Sequence, residues 1–334
     1  MRIGLIRLSS LGDVVLTTGV VREVKCGIPD AELTMITGSR YEDIFRFNPC
    51  VDELILLDGK KYEDMSVLIR RVRSRKFDVL ADLQLNPRSL LISAASGART
   101  RLRYSKSRWM RSLMVLRGKR RDCGHVTERY FKPFERLGLR SVNLRPQIWV
   151  DRAARQSVEN LVGEGGERPV VAISPGATTS TKRWPAEKYG NLCRLLVGKR
   201  NVQVVLVGDR KDVQTSAEVR SMAKANIVDL TGKMSLLELA SLLERCSVLV
   251  TNDSGPMHMA VAMNTPSVAI FGPTVPEFGF SPLGERDRVI ERKLACRPCS
   301  LHGSDRCKDN GFRCMRLICA EEVFEAVCGV LNGQ

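Results

Sequence analysis

Aromatic residues make up only 5% of this 334-residue sequence, and no uninterrupted apolar run approaches the length needed to cross a bilayer. The first shortage argues against a nucleic-acid binder built on base stacking. The second argues against a helical integral membrane protein. No charged segment followed by an apolar export signal opens the chain, which enters a strand-like run at once, so the expected location is cytoplasmic. Eleven cysteines without an export signal then point to reduced thiols or a metal site more than to a disulfide framework. A GxGxxG phosphate loop is absent from the first strand-to-helix turn, which excludes the usual dinucleotide fingerprint there.

What the chain does have is size, apolar content and basic charge. Its length suits two domains with sizeable cores, and its 43% apolar content fits a globular protein. The net charge is +16 and unevenly spread along the sequence: residues 1–150 carry 29 Lys/Arg against 16 Asp/Glu, residues 151–334 carry 24 against 21. Most of the excess lies in "GARTRLRYSKSRWMRSLMVLRGKRR", residues 97–121, with ten basic residues, no acidic one, and apolar residues such as Leu102, Trp109, Met110, Leu113, Met114 and Leu116 interleaved. Such a stretch matches nucleic acid, anionic membrane head groups or a phosphorylated lipid. A merely solvated basic face is the plain alternative.

The hydropathy rhythm is that of parallel sheets covered by helices. Strand-like runs fall at Ile3–Leu8, 31–38, 51–57 and 77–84; helices are expected over Val14–Lys25, near 40–47, through 65–76 and over 124–139. The polar, then Gly/Glu-rich stretch 151–169 reads as the joint between two domains. The rhythm restarts at 169–176, 202–209, 227–232, 247–253 and 266–274, with a capping box at Ser235 and Glu238. The expected architecture is α/β: two Rossmann-like doubly wound domains, an N-terminal one over 1–155 and a C-terminal one over 165–334. Ligands are expected at the carboxyl ends of the strands, in the cleft between the domains.

Several loops carry chemistry. In "IRLSSLGDVVLTT", Asp13 heads the first helix where a phosphate would otherwise sit, and its carboxylate would repel one. It either caps the helix and complements its dipole or serves the reaction. "SPGATTSTKRWP", 174–185, offers Gly176 for close backbone approach, hydroxyls including Thr178 and Thr179, and the Lys182 ammonium, a set suited to a diphosphate. "TNDSGPMHMAVAMN", 251–264, places Asp253, Ser254, Gly255 and His258 at a helix start, an anion site with a histidine able to bond a phosphate or sugar hydroxyl. In "VGDRKD", Asp209 and Asp212 follow a strand, where a carboxylate commonly receives ribose hydroxyls; Asp212 is the favoured candidate.

Taken with "DLQLNPRS" at 82–89, "HVTERY" at 125–130 and "CRPCSLHG" through "RCM" near the end, these motifs resemble glycosyltransferase family 9, the ADP-heptose:lipopolysaccharide heptosyltransferases. The resemblance implies a GT-B architecture, two Rossmann-like domains facing across a cleft, with acceptor on the first and nucleotide sugar mainly on the second. It implies an inverting, metal-independent transfer of heptose from ADP-heptose to Kdo-lipid A or heptosyl-Kdo-lipid A. Asp13 becomes the general base for the acceptor hydroxyl. Lys182, Thr178 and Thr179 contact the donor phosphates or sugar, Asp212 belongs to the donor set, and Asp253, Ser254, Gly255 and His258 line the diphosphate and heptose site; Lys182 and the helix start stabilise the departing ADP. Ser10 and the basic side chains Arg99, Arg101, Arg103, Arg108 and Arg111 are expected to face the anionic lipid A-type acceptor, at a peripheral contact with the cytoplasmic face of the inner membrane.

No cofactor is expected for catalysis. Within the Cys-rich segment 296–319, however, Cys296, Cys299, Cys307 and Cys314 could hold a structural zinc or iron ion, with plain reduced thiols as the alternative. Two other functions compete: a family relative using another acceptor or nucleotide sugar, and, from a different class, a basic nucleic-acid-binding protein. The resemblance and the diphosphate loops leave no nucleic acid expected.

Overall fold

Short apolar runs that alternate with amphipathic ones form two parallel α/β units in the computed structural model, which describes residues 1–58, 62–163, 168–308 and 310–333. One unit comprises Met1–Lys106 and His125–Trp149; the other comprises Ser107–Gly124 and Val150–Gln334. The Gly/Glu-rich part of the predicted joint, from residue 164 to 167, lies outside the described residues.

In the first unit, β1 (Arg2–Arg7), β2 (Glu32–Gly38), β3 (Glu53–Leu57), β4 (Val79–Asp82) and β5 (Thr100–Arg103) make an all-parallel sheet in the order β3-β2-β1-β4-β5. Ile6, Ile36, Ile55 and Leu80 from its strands pack with Phe77, Met65, Leu68 and Val72 into one apolar cluster. The helices are α1 (Leu11–Gly27), α2 (Tyr62–Ser74) and α3 (Pro87–Ala95), then α4 (Arg108–Arg117) in the other unit, and α5 (Val126–Phe131) back in the first. Two predicted helices are shorter than expected. The one near 40–47 is a 3-10 turn over Ser39–Ile44. The one over 124–139 divides into α5 and a 3-10 turn over Lys132–Leu137, because Pro133 has no N–H for the helical ladder.

The second unit contains α6 (Arg152–Val162), β6 (Val170–Ser174), α7 (Ala186–Arg200), β7 (Gln203–Leu206), α8 (Val213–Ala223), β8 (Val228–Asp229), α9 (Leu236–Arg245), β9 (Val248–Asn252), α10 (Gly255–Ala262), β10 (Ser267–Phe271), β11 (Arg288–Glu291), α11 (Arg313–Arg316) and α12 (Ala320–Leu331). Its parallel sheet runs β11-β10-β9-β6-β7-β8. Val171, Ile173, Leu206, Val250 and Ile270 from the strands pack with Trp184, Leu192 and Phe324 from the helical side. The capping box forms as read: Ser235 Oγ accepts from Glu238 N–H at 3.2 Å, and Glu238 Oε2 accepts from Ser235 N–H at 2.7 Å. In each sheet the strand order reverses beside the central strand, between β1 and β4 and between β6 and β9, and the loops leaving those strands are where such folds bind ligands.

The basic stretch 97–121 is divided between the units, which corrects its expected place in one N-terminal domain over 1–155. Long-range contacts that the sequence does not display decide this. Met114 of α4 packs with Val275 and Phe278, Cys123 N–H donates to Glu277 O at 3.1 Å, and Arg120 pairs with Glu291 at 2.5 Å and Glu277 at 3.4 Å. Glu291 also pairs at 2.8 Å with Arg297, a guanidinium buried among the Gly272, Thr274 and Arg292 carbonyls. Segment 107–124 brings six Lys/Arg and one Asp with it, so the units carry 23 Lys/Arg against 15 Asp/Glu and 30 against 22, a net +8 each. The charge asymmetry of the linear sequence is absent from the folded units.

Candidate active site

Asp13 lies in the first turn of α1, at the carboxyl end of β1, with Ser10 at the N-cap position. Its donors include Arg7 Nη2 at 2.7 Å and Ser10 Oγ at 2.8 Å on Oδ2, and Tyr130 Oη at 2.5 Å on Oδ1. Arg7 is buried, with its guanidinium 5.1 Å from the Tyr130 ring centre, and Tyr104 meets that ring edge-on at 4.9 Å. Burial disfavours the Arg7 charge, but the Asp13 carboxylate beside it carries its pKa above the ordinary guanidinium value. Burial pushes the Tyr130 phenol well above its usual range, so it stays protonated and donates to Asp13. The neighbouring wall is fixed too. Gln84 Oε1 accepts from Leu8 N–H at 3.0 Å and Ser9 N–H at 3.1 Å, while buried Asp82 accepts from Gln84 N–H, Leu85 N–H and Ser89 Oγ, each at 2.9 Å.

In the second unit, Lys182 Nζ lies 2.6 Å from Asp253 Oδ2, and Thr274 Oγ1 donates to the same oxygen at 2.7 Å. Burial alone would raise the Asp253 pKa, but Lys182, Thr274 and the nearby His258 together bring it below the usual carboxylate value. His258 is buried in α10, while Ser254 sits at the N-cap with its Oγ 3.2 Å from Thr251 Oγ1, and Gly255 is the first helical residue. Asn252 links the loops that leave β6 and β9: its amide donates to the Pro175 and Gly176 carbonyls at 2.9 and 3.2 Å, and its Oδ1 accepts from Trp184 N–H at 3.0 Å.

Hydroxyls of the 178–182 loop are not equivalent. Ser180 Oγ donates to Asp305 O at 2.8 Å, and Thr181 Oγ1 donates to Ser304 O at 2.6 Å while accepting from Ser304 N–H at 2.8 Å. Thr178 is exposed. Thr179 Oγ1 is buried and has no hydrogen-bond partner among the described residues. Gly303 makes that closeness possible, since a Cβ there would lie 2.1 Å from Thr179 Oγ1.

Gly176 has a different role from the expected one. A Cβ on it would fall 2.2 Å from Asp212 Cγ, so the glycine makes room for a carboxylate of its own chain. Asp212 is half-buried, its Oδ2 accepts from Asp209 N–H at 3.0 Å, and burial pushes its pKa up; Asp209 is exposed. Among the arginines, Arg99, Arg101 and Arg103 are exposed on or beside β5, and Arg99 pairs with Asp78 at 3.4 Å. Arg108 is exposed on α4. Arg111 is buried in the second unit, 5.6 Å from the Phe280 ring centre, which takes it out of the solvent-facing set proposed for the acceptor.

The four cysteines sit in the segment that braces the 178–182 loop. Burial, with the neighbouring thiols, pushes the Cys299 thiol up and the Cys314 thiol up to about 11. Among the described residues no group of three His, Cys, Asp or Glu side chains is arranged to hold a metal ion.

The sequence reading missed Arg7, Tyr130, Asn252 and Arg297. A single cation at the end of the apolar run Ile3–Leu8 was the available signal for Arg7, because a buried charge needs a partner.

The sequence model of Glycosyltransferase family 9 (heptosyltransferase) matches residues 65–307. The chain belongs to glycosyltransferase family 9. It is 27% identical over 308 residues to lipooligosaccharide heptosyltransferase 2 of Haemophilus influenzae, covering 87% of this chain and 88% of that one. To lipopolysaccharide heptosyltransferase 2 of Escherichia coli it is 28% identical over 316 residues, again 87% and 88%. The solved ADP-heptose lipopolysaccharide heptosyltransferase II of E. coli superposes with a TM-score of 0.79 at 25% identity, over 100% of this chain and 99% of that one. The fold of this family 9 member is accordingly of the GT-B type, two parallel-sheet α/β domains.

Proposed function

We propose that this family 9 glycosyltransferase moves heptose from ADP-heptose to the inner core of lipopolysaccharide, with Kdo-lipid A or heptosyl-Kdo-lipid A as acceptor, at the cytoplasmic face of the inner membrane. The observation that carries the reading is Asp13: a carboxylate at the switch point of the first sheet, both oxygens oriented by donors, in a family of heptosyltransferases. Asp13 takes the proton of the attacking acceptor hydroxyl as its oxygen bonds to the anomeric carbon; the bond from that carbon to the diphosphate breaks, and ADP leaves with inversion. Lys182, the α10 N-terminus and the buried Thr179 hydroxyl meet the diphosphate and sugar, and His258, Ser254 and Gly255 complete that wall. Fixed positive groups replace a divalent ion in stabilising the leaving group. Arg99, Arg101 and Arg103 supply the positive field for the acceptor's phosphates and carboxylates.

An ADP-release assay tests this, comparing ADP-heptose with other nucleotide sugars on acceptors of defined inner-core length, with and without EDTA. Turnover is expected with ADP-heptose and an inner-core acceptor, unchanged by EDTA. Preference for another sugar nucleotide overturns the donor assignment, and loss of turnover in EDTA overturns the metal-independent chemistry.

A further inference from the structure

The helix α4 carries exposed apolar side chains that have no part in the proposed transfer chemistry. Its inner face is held by Met114 against Val275 and Phe278, by Arg111 over Phe280, and by Met110 beside Cys123, whose sulfurs are 3.7 Å apart. Its outer face is left bare: Trp109 is 80% exposed and Leu116 is 81% exposed. At about 100° per residue these two project within ~20° of each other, with the half-buried Leu113 beside them. Arg108 falls on one edge of this apolar stripe and Arg117 on the other, and Lys119 and Arg121 follow, all exposed. No acidic residue interrupts residues 97–121.

An apolar centre rimmed by cations on a fixed helix is the pattern of a helix that lies in a bilayer interface. Indole and leucine enter the head-group boundary while arginines remain at the anionic phosphates. Base stacking does not explain Leu116, and a solvated face does not explain two large apolar side chains left mostly exposed side by side. We infer that α4 is a membrane-docking element, which inserts Trp109 and Leu116 into an anionic lipid surface through the second unit. This deepens the proposed function and rests on it for the place where the acceptor is met.

The test uses the full chain with vesicles of phosphatidylethanolamine and phosphatidylglycerol that contain no lipopolysaccharide acceptor, and with phosphatidylcholine vesicles as the neutral surface. Binding is expected to the anionic vesicles, weakened by salt, with a blue shift of Trp109 emission on contact. Of the other two tryptophans Trp184 is buried and Trp149 half-buried, and the W109A variant identifies which tryptophan gives the signal. The W109A/L116A variant should lose vesicle affinity by about tenfold or more while its circular dichroism, and its turnover on a deacylated, water-soluble acceptor, stay at wild-type level. Unchanged vesicle binding by that variant overturns the proposal. So does a drop in turnover on the soluble acceptor, which would make α4 part of the substrate site, or tighter binding of the wild type to duplex nucleic acid than to anionic vesicles at equal salt. Vesicle binding lost by the wild type with ADP release intact overturns this inference alone; vesicle binding intact without ADP release overturns the heptosyltransferase reading alone.

Discussion

Each unit builds the same motif at its switch point, a cation, a carboxylate and a hydroxyl, but turns it opposite ways. In the first unit the cation is the hidden partner: the Arg7 side chain is 6% exposed and Asp13 is 19% exposed. In the second the order reverses, with Asp253 at 10% and Lys182 at 15%. A neutral pair thus presents an anion in one place and a cation in the other. An anion suits a proton acceptor, and a cation suits a diphosphate. What each site can do therefore follows from which member of the pair is buried, more than from which residue types are present.

The sharpest way to break this comparison is Asp13→Asn. Turnover is expected to fall by about 10²–10⁴-fold, because the proton acceptor is gone while shape is kept. ADP affinity measured calorimetrically should be unchanged, and near-normal turnover would remove Asp13 from the base role.

The converse change, Lys182→Met, strips the cation from a buried pair. It should weaken ADP binding and lower stability by about 3–5 kcal/mol at neutral pH, since Asp253 is left as an uncompensated buried charge. The sign with pH is specific. In the native protein the Asp253 pKa is depressed, so its contribution is present above the ordinary carboxylate value and lost as pH falls through the lower, folded one. Without Lys182, burial dominates, the pKa rises, and the variant gains relative stability as it protonates. The gap between the two unfolding curves should narrow from pH 7 toward pH 4; a gap that widens contradicts the pairing.

Tyr130→Phe sharpens the comparison with the smallest effect. It removes one charge-assisted hydrogen bond, worth about 1.5–3 kcal/mol, from a carboxylate that keeps Arg7 and Ser10. A positioning role predicts a fall in kcat with little change in acceptor KM, and a displaced acid limb in the pH profile, because the carboxylate must be ionised to take the proton. A merely structural role predicts lower stability with the profile unmoved.

Much of the fold was legible because β1, β6, β9 and β10 are buried on both faces and read as continuous apolar runs. The edge strand β5 was not, since of Thr100–Arg103 only Leu102 is buried and three polar side chains face outward. The placing of Asp13, Lys182, Asp253 and Thr179 in loops or helix starts after strands was also readable, because the apolar runs that precede them mark the strand ends. Partners were not readable. Tyr130 is 117 residues from Asp13 along the chain, and Arg120 meets Glu291 across 171 residues. Only the folded topology reveals that Gly176 accommodates Asp212, or that the basic stretch belongs to two units.

Asn252 has a consequence of its own. One side-chain amide grips two carbonyls of the loop after β6 while its oxygen receives an N–H from Trp184, so the segments on either side of the strand reversal behave as one stiff piece. Under the proposed function, a nucleotide arriving there would meet walls already in register and lose little to ordering them, so its affinity would reflect chiefly the fit of its own atoms.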